Sequence, residues 1–341
     1  MHPRAGSAVF ALWLLACSRE SPPSSGSPSP SSLASPPASV GAIGSLTAER
    51  RQRVLDAALP LIRAHYVAPD LGAVAAQAVQ DHQARGDYAS GVEEDFARRL
   101  TDDLRAVTHD LHFRVRYRAP GTTEVVTPER RAELEVEARH GIHSVERLAG
   151  GVALLRIDSF LEPPSSQALR NAYATAMGEV ADARALVLDL RDNYGGDPTT
   201  VAFAMSYLFD ATPVHLNDIW SRDEDVTWQN WTQRDLPGPR FGGKKPLFVL
   251  VSKRTISGGE EAAYDLQSQK RALVIGETTA GAANPSPRFD LGEGFAVFIP
   301  SARAINPVTH TNWEGTGVVP DVAVDPADAV KVALSRAIGA G

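Results

Sequence analysis

The segment Ala185-Leu186-Val187-Leu188-Asp189-Leu190-Arg191-Asp192-Asn193-Tyr194-Gly195-Gly196-Asp197 decides the fold class. Its first six residues are almost wholly apolar, which is typical of a strand that is buried on both faces of a parallel sheet. The two adjacent glycines mark a tight turn, and a helical stretch follows at about residues 199–208. Strand, turn and helix in this order predict one unit of an α/β domain.

The same alternation of strand and helix extends on both sides of this segment. Three more apolar runs are typical of buried strands, and two more stretches have helical spacing; they lie at residues 152–157, 247–251, 272–275, 164–182 and 257–268. Residues 112–117 alternate in polarity, as a half-buried strand does. We therefore expect residues 111–341 to form an α/β domain with a mainly parallel sheet and flanking helices.

Residues 45–110 have a different pattern, which predicts a small N-terminal helical bundle. Thr47 can cap a first helix, and Pro60 should kink it. Ser90-Gly91-Val92-Glu93 has the pattern of a capping box before a later helix. The apolar residues of the two helices recur at helical spacing: Val54, Leu55, Ala58, Leu59, Ile62 and Tyr66, then Phe96, Leu100, Leu104 and Val107. Residues 119–150 are too few for an inserted peptide-binding (PDZ) domain of about 80–90 residues, which would need its own core.

The first 44 residues predict export and membrane attachment. Residues 1–16 have a basic start and a short apolar run, as a signal peptide does. Leu14-Leu15-Ala16-Cys17 resembles a bacterial lipobox, in which the Cys is lipidated; an ordinary signal peptide with an incidental Cys is the other interpretation. Residues 17–44 are rich in Ser and Pro and predict a tether. We expect a lipid-anchored protein on the periplasmic side of the cell envelope, and Ser18, where Asp is the usual retention signal, is compatible with sorting to the outer membrane.

Composition and charge exclude several classes of function. The net charge of −7 and the lack of a Lys/Arg run argue against a nucleic-acid binder. Cys17 is the only Cys, and no His/Cys/Asp/Glu spacing suggests a metal site, so we expect neither a metal ion nor a cofactor. Residues 238–245 nearly match a phosphate-binding loop, but the final position is Lys and the segment precedes a strand, so the match is rejected.

Ser257 lies in the segment Thr255-Ile256-Ser257-Gly258-Gly259-Glu260, between a predicted strand and a predicted helix. The N–H groups at a helix start lack partners within the helix. Ser257 is therefore either a helix cap, with Glu260 completing a capping box, or a nucleophile, with the Gly258 N–H stabilising an oxyanion. Taken alone, the segment favours the cap. The two glycines after Ser257 favour close approach of another group to the backbone.

Three further positions have both a structural and a catalytic interpretation. Gly195 and Gly196 form either a plain turn or the second oxyanion donor, since ligands bind beyond the carboxyl ends of parallel strands. His112 is either one more structural His among nine or a general base. Glu314 is either a surface-loop carboxylate or the group that orients such a base.

Together these motifs resemble the superfamily of serine peptidases that contains the C-terminal processing peptidases and the tricorn core protease, over about residues 46–325. Four segments carry the resemblance, in the right order: Leu188–Gly196, Ser257–Glu260, Gly276–Gly281 and Glu314–Asp321. The resemblance implies a crotonase/ClpP-like fold after the helical bundle. It also implies these site residues: Ser257, His112 and Glu314 as catalytic residues, Gly258 with Gly195 or Gly196 as the oxyanion hole, and Glu260 in support.

The resemblance also indicates a branch of the superfamily. Processing peptidases carry the Lys of a Ser–Lys dyad just after the Gly-Glu-x-Thr-x-Gly turn, and here that position is Ala282. Tricorn-type members use a His and a Glu in the places of His112 and Glu314. In having no room for a PDZ insert, the chain is similar to the repeats of interphotoreceptor retinoid-binding protein.

One position departs from the tricorn-type pattern. Those members place a Ser directly before the His, where it links the His to the Glu, and here the residue is Leu111. Glu314 then reaches the imidazole directly or through water, or another residue makes the link; the candidates are Thr108, His109 and Asp110.

The sequence thus predicts a serine-type peptidase that cleaves peptides or proteins in the cell envelope through an acyl-enzyme on Ser257. The alternative is a non-catalytic binder of apolar ligands on the same fold, as in the retinoid-binding repeats. Residues 220–231, rich in aromatic and charged side chains, either rim a substrate groove or form a structural loop. The sequence does not indicate the substrate, the cleavage specificity or the oligomeric state.

Overall fold

The structure is a computed structural model, and it describes residues 46–89, 91–119, 134 and 137–339. The predicted signal peptide at residues 1–16, the predicted lipidation site Cys17 and the whole of the predicted tether at residues 17–44 lie outside the described residues. In the part of the chain that is described, no helix has both the length and the apolar character needed to cross a bilayer.

Seven helices and twelve strands make up the described chain. The helices are α1 (Ala48–His65), α2 (Pro69–Arg85), α3 (Glu93–Thr108), α4 (Gln167–Val180), α5 (Pro198–Ser206), α6 (Gly258–Ser268) and α7 (Ala329–Gly339), with a 3₁₀ turn at Ala149–Gly151. The strands are β1 (Arg114–Tyr117), β2 (Ile142–Leu148), β3 (Val152–Ile157), β4 (Ala185–Asp189), β5 (His215–Ser221), β6 (Val226–Trp231), β7 (Leu247–Val251), β8 (Leu273–Gly276), β9 (Arg288–Gly292), β10 (Phe295–Phe298), β11 (Ala302–Ile305) and β12 (Val322–Ala323).

The central sheet has six strands in the order β12-β8-β7-β4-β3-β2. All neighbours are parallel except β2, which runs antiparallel to β3 at one edge. Every residue of β4 and β7 is buried, because apolar side chains of α4, α5 and α6 cover one face of the sheet and those of α7 cover the other. The predicted α/β fold with a mainly parallel sheet is confirmed.

The N-terminal helices begin partly as expected. Thr47 caps α1 by accepting a hydrogen bond from the N–H of Arg50 at 3.3 Å. The helix begins later than the predicted capping box at residues 90–93 requires, since Val92 occupies the N-cap of α3 and makes no side-chain cap; Ser90 lies outside the described residues. Glu93 is the first helical residue instead, and its carboxylate pairs with Arg50 at 2.6 Å.

A second hydrophobic core joins α1, α2 and α3 to a small antiparallel sheet in the order β1-β10-β9. Phe96 of α3 packs edge-on against Phe295 of β10, with ring centroids 5.7 Å apart. The strand predicted at residues 112–117 lies in this small sheet and is shorter than expected, since it begins at Arg114. His112 precedes it in a turn. Pairing of β1 with β10 brings that turn towards the segment before β9.

A third sheet, β11-β5-β6, contains the aromatic segment at residues 220–231. Strands β5 and β6 form an antiparallel hairpin, in which Ile219 lies opposite Trp228. The segment is thus an ordered hairpin, while its predicted contact with a substrate stays a prediction.

Candidate active site

Ser257 lies in the sharp turn between β7 and α6. Its backbone has φ 57° and ψ −122°, whereas an ordinary N-cap residue has an extended backbone. A positive φ is costly for a residue with a Cβ, and such strain concentrates at functional sites. The hydroxyl of Thr255 donates to the carbonyl of Leu190 at 2.8 Å and ties this turn to the end of β4. Ser257 is the N-cap residue of α6, and Glu260 accepts its backbone N–H as in the capping box that one interpretation of the sequence predicts; its strained backbone is in addition that of a nucleophile elbow.

The fully buried carboxylate of Glu260 holds the nucleophile turn in place. It accepts the N–H groups of Ser257 at 2.9 Å, Gly281 at 2.6 Å and Ala282 at 2.9 Å, and the hydroxyl of Thr279 at 2.5 Å. Burial raises the pKa of Glu260, and these hydrogen bonds act in the opposite direction. Glu260 therefore joins the start of α6 to the segment that follows β8.

The glycine-rich turn after β4 is organised by Asn193, which is fully buried. Its side chain donates to the carbonyl of Ile157 at 3.0 Å and accepts the N–H of Gly195 at 2.9 Å. Its backbone carbonyl accepts the N–H of Ile256, directly before Ser257, at 3.0 Å. The N–H of Gly195 is thus already engaged and is not available to an oxyanion.

The N–H groups of Gly196 and Gly258 are the available pair. A Cβ on Gly258 would lie 3.0 Å from the backbone nitrogen of Gly196, so the two turns are in close contact. Neither N–H donates a hydrogen bond to the part of the chain that the structure describes. Of the two glycines predicted from the sequence, Gly196 is therefore the one that can act with Gly258 on an oxyanion.

His112 lies in the turn that follows α3. Its N–H donates to Oδ1 of Asp110 at 3.0 Å, and Arg105 braces the turn by donating to the carbonyl of Phe113 at 2.8 Å. Nδ1 of His112 is buried and has no hydrogen-bond partner. Burial, together with the positive charges of Arg114 and Arg105, lowers the pKa of His112 to about 4. The imidazole is therefore a neutral base at neutral pH.

Glu314 lies beside His112, and a second carboxyl group, that of Asp110, lies next to both. The carboxylate of Glu314 accepts the N–H of Ala283 at 2.6 Å. The site brings together three side chains, and one oxygen or nitrogen atom from each lies within 4.8 Å of the other two: Asp110, His112 and Glu314. Burial, together with the neighbouring charge of Asp110, raises the pKa of Glu314 to about 8. Among the described residues, this is also the group of side chains that could hold a metal ion.

Ser257 and His112 are not joined by a hydrogen bond within the described residues. They are connected through the segment at 281–284, whose successive residues donate to the three carboxyl groups of the site: Gly281 and Ala282 to Glu260, Ala283 to Glu314, and Asn284 to Asp110. Catalytic hydrogen bonds are often long before substrate binds and tighten in the complex.

Ala282 offers no base to Ser257. Its methyl side chain is fully buried, its N–H is held by Glu260, and its carbonyl accepts the indole N–H of Trp313 at 2.9 Å. This agrees with the inference from the sequence that a Ser–Lys dyad is unavailable.

Two buried asparagines of the site were not identified from the sequence. Asn193 links the two turns that meet at Ser257, and Asn284 donates to Asp110 at 2.9 Å. Their positions offered a signal, since Asn193 is two residues before the paired glycines and Asn284 is two residues after Ala282. An amide in a turn that follows a buried strand supplies both a donor and an acceptor, which such turns need.

Comparisons with known proteins show the family to which the chain is related. The model of peptidase family S41 matches residues 151–324, and the model of the N-terminal domain of peptidase S41 in eukaryotic IRBP matches residues 42–150. The chloroplastic carboxyl-terminal-processing peptidase 2 of Arabidopsis thaliana is 34% identical over 172 residues, which are 50% of this chain and 31% of that protein. The chain spans 31% to 44% of the length of three curated relatives.

Solved structures show the same fold. A lipoprotein from Streptococcus agalactiae superposes with a TM-score of 0.56 at 13% identity, covering 84% of this chain and 96% of that one. The tricorn protease superposes with a TM-score of 0.54 at 12% identity, covering 85% of this chain and 36% of that one. The resemblance inferred from the four sequence motifs is confirmed.

Proposed function

The chain belongs to peptidase family S41, and we propose that it is a serine peptidase with Ser257 as nucleophile, His112 as general base and Glu314 as the group that orients His112. The observation that carries the proposal is the backbone of Ser257. Ser257 is the N-cap of α6, but its φ of 57° departs from the extended backbone of an ordinary N-cap residue, and it lies beside the free N–H groups of Gly196 and Gly258. A strained Ser next to two unused donors is what acyl transfer requires.

The reaction would proceed in two halves. Oγ of Ser257 attacks the scissile carbonyl carbon while His112 takes the hydroxyl proton. The N–H groups of Gly196 and Gly258 stabilise the oxyanion, and the loss of one such donor typically costs on the order of 100- to 1000-fold in turnover. The C–N bond then breaks, and His112 passes its proton to the leaving amine. In the second half, His112 deprotonates a water that attacks the acyl carbon, which releases the carboxylate product and restores Ser257.

The substrate we propose is a peptide or protein, since the family and the named relatives are peptidases. We also propose the chain organisation inferred from the sequence: a signal peptide at residues 1–16, a tether at 17–44, an N-terminal helical domain at 45–110 and a catalytic domain at 111–341. Lipidation of Cys17 would anchor the enzyme in the cell envelope. Radiolabelled palmitate should enter the wild-type chain in a bacterial host and not Cys17→Ala, and equal incorporation in both would refute the anchor.

The catalytic proposal is tested with a fluorophosphonate probe, whose phosphorus is attacked by an activated Ser Oγ with loss of fluoride. We expect the wild-type chain to be labelled and Ser257→Ala not to be. His112→Ala should lose labelling while it keeps its melting temperature. No labelling of the wild type, or equal labelling of Ser257→Ala, would refute the peptidase and favour the alternative, a binder of apolar ligands on this fold.

A further inference from the structure

A groove with a volume of about 520 Å³ opens at the end of the central sheet where β7 and β8 begin. Leu247 and Leu273, the first residues of these two strands, are among the residues that line it. The turn that carries Ser257 follows the opposite end of β7, whose five residues span about 17 Å at 3.3 Å per residue. The groove and the nucleophile therefore lie at opposite ends of the sheet, and the proposed reaction makes no use of the groove.

Positively charged side chains are concentrated in this groove. The chain has five lysines, and three of them line the groove together with Arg271: Lys244, Lys245 and Lys270. Because the chain as a whole has a net charge of −7, this concentration is opposite in sign to the overall charge. Within the described residues, none of these four side chains forms an ion pair with a carboxylate. We call this feature the basic groove.

The carboxylates near the basic groove are already engaged. Asp321 lines the groove, and its two oxygens accept a backbone N–H at 2.7 Å and a side-chain amide N–H at 3.0 Å. Asp210 accepts a backbone N–H at 3.0 Å. Asp182, the acidic group near Lys245, is paired with Arg147. Four cations thus face the two carboxylates of Asp321 and Asp210, which leaves an excess of two positive charges for an anionic ligand.

The four cations of the basic groove differ in how they are held. Lys245 and Arg271 donate hydrogen bonds to backbone carbonyls, which fix their charges at the wall of the groove. Lys244 and Lys270 are exposed, and in the part of the chain that the structure describes their ammonium groups donate no hydrogen bond. Ammonium groups of this kind are suited to phosphate oxygens, which they bind as point charges.

An exposed apolar side chain lies beside the basic groove. Val319 is 63% exposed, the highest value among the large apolar side chains that the structure describes. Gln267, which lines the groove, donates its side-chain amide to the carbonyl of Val319 at 3.0 Å. At the surface of an anionic bilayer, lysines meet lipid phosphates and apolar side chains enter the headgroup region. A free phosphate ion would use the cations alone, so Val319 favours a lipid surface as the partner.

We propose that the basic groove binds the phosphates of anionic lipid headgroups and thereby turns Ser257 away from the membrane. The consequence for catalysis rests on the proposed function, whereas the binding itself does not. The tether predicted at residues 17–44 would have a root-mean-square reach of about 30 Å, which is enough for the domain to touch the bilayer in which Cys17 would be anchored. The proposed anchor would then hold the enzyme at the membrane, and the basic groove would orient it.

Vesicle sedimentation tests the proposal, with the full chain carrying Cys17→Ala so that lipidation makes no contribution. We expect this parent chain to bind vesicles of phosphatidylglycerol and phosphatidylcholine in equal parts, and to bind vesicles of phosphatidylcholine alone much more weakly. Lys244→Gln/Lys270→Gln in the same background should weaken binding to the anionic vesicles about 25-fold, since each lysine near an anionic surface contributes about fivefold.

Lys253→Gln/Lys331→Gln is the matched control. It removes the other two lysines of the chain, which are exposed and do not line the groove, and it changes the net charge by the same amount. This control should bind the anionic vesicles as the parent chain does. Both double variants should keep the parent melting temperature, because all four ammonium groups are exposed.

Three results would overturn the proposal. The first is equal binding of the parent chain to the two kinds of vesicle. The second is an equal loss of binding in the two double variants, which would indicate a response to net charge alone. The third is a rise in melting temperature with inorganic phosphate, absent in Lys244→Gln/Lys270→Gln, without binding to vesicles, which would assign the groove to a soluble phosphate ligand. Failure of the proposed function is a separate result, namely a wild-type chain that the fluorophosphonate probe does not label.

Discussion

A Cβ atom on Gly195 would lie 2.8 Å from the Cβ of Ser257, which is closer than real Cβ contacts come. The backbone of Gly195 has φ 95°, and its N–H is held by Asn193. The glycine-rich turn after β4 therefore packs bare backbone against the nucleophile. Gly195 contributes to the site because it has no side chain, and Gly196 is the residue whose N–H is free for the proposed oxyanion.

Gly195→Ala should displace Ser257 and lower the rate of fluorophosphonate labelling by about 100-fold, the typical cost of misplacing a catalytic group by about 1 Å. Gly86→Ala is the matched control, because Gly86 has φ 81° and a Cβ added there would meet no atom within 4 Å. Both variants should lose about 1–2 kcal/mol of stability from the left-handed backbone. Labelling rates and melting temperatures decide: equal labelling of the two variants would show that the contact with Ser257 is unimportant.

Asn193→Ala should weaken both the fold and the site. The substitution leaves the buried carbonyl of Ile157 without its donor, which typically costs about 1–3 kcal/mol, and releases the N–H of Gly195. Asn306→Ala removes another fully buried Asn, whose amide donates to the carbonyl of Leu216 at 3.2 Å. We expect a similar drop in melting temperature for both variants in thermal unfolding, and a loss of labelling for Asn193→Ala alone. Retained labelling in Asn193→Ala would contradict the role of this side chain.

The central sheet and its two functional turns could be predicted because their signals are local. Strands β4 and β7 are continuous apolar runs, and each is followed within a few residues by paired glycines. Hydrophobic period and turn chemistry within about ten residues predict that Ser257 and the pair Gly195 and Gly196 each follow a buried strand; the structure makes the two strands neighbours and selects Gly196.

The environment of His112 could not be predicted because it depends on contacts between distant parts of the chain. Asp110 contacts Asn284 across 174 positions, and Glu93 pairs with Arg50 across 43 positions. Such pairings are set by the packing of α1–α3 on the β1-β10-β9 sheet. The sequence left Asp110 as one of three candidates, and only the tertiary structure distinguishes them.

The pH dependence of labelling should reflect the low pKa of His112, about 4. A base must be neutral to accept the proton of Ser257, so the rate should change little from pH 7 to pH 5 and fall as the pH passes through about 4. Arg114→Met removes a nearby positive charge, which favours the imidazolium, and should move this fall to higher pH. Arg116→Met, an exposed Arg on the same strand, is the control. A wild-type profile that falls near pH 6.5 would contradict the lowered pKa of His112.

Glu261 and Asp265 form a second pair of buried carboxyl groups, one turn apart on α6. Burial raises the pKa of Glu261 to about 8, and burial together with the charge of Glu261 raises that of Asp265 well above its usual range. The facing side chains are the amides of Asn217 and Asn306, the latter donating to Asp265 at 3.0 Å. At neutral pH the folded chain therefore keeps protons that the unfolded chain releases.

The sign of the stability effect follows from that difference in bound protons. Below the ordinary carboxyl pKa of 4.5, Glu261 is neutral in both states and its burial costs least. As the pH rises from about 4.5 to about 8, the unfolded state releases the proton first, so the free energy of unfolding falls. Glu261→Gln is neutral at every pH and should flatten this fall, with a higher melting temperature than the wild type at pH 8. Glu179→Gln, an exposed carboxylate on α4, should keep the wild-type slope. Melting temperatures measured from pH 5 to pH 8 test this, and parallel curves for Glu261→Gln and the wild type would show that Glu261 is ionised in the folded chain.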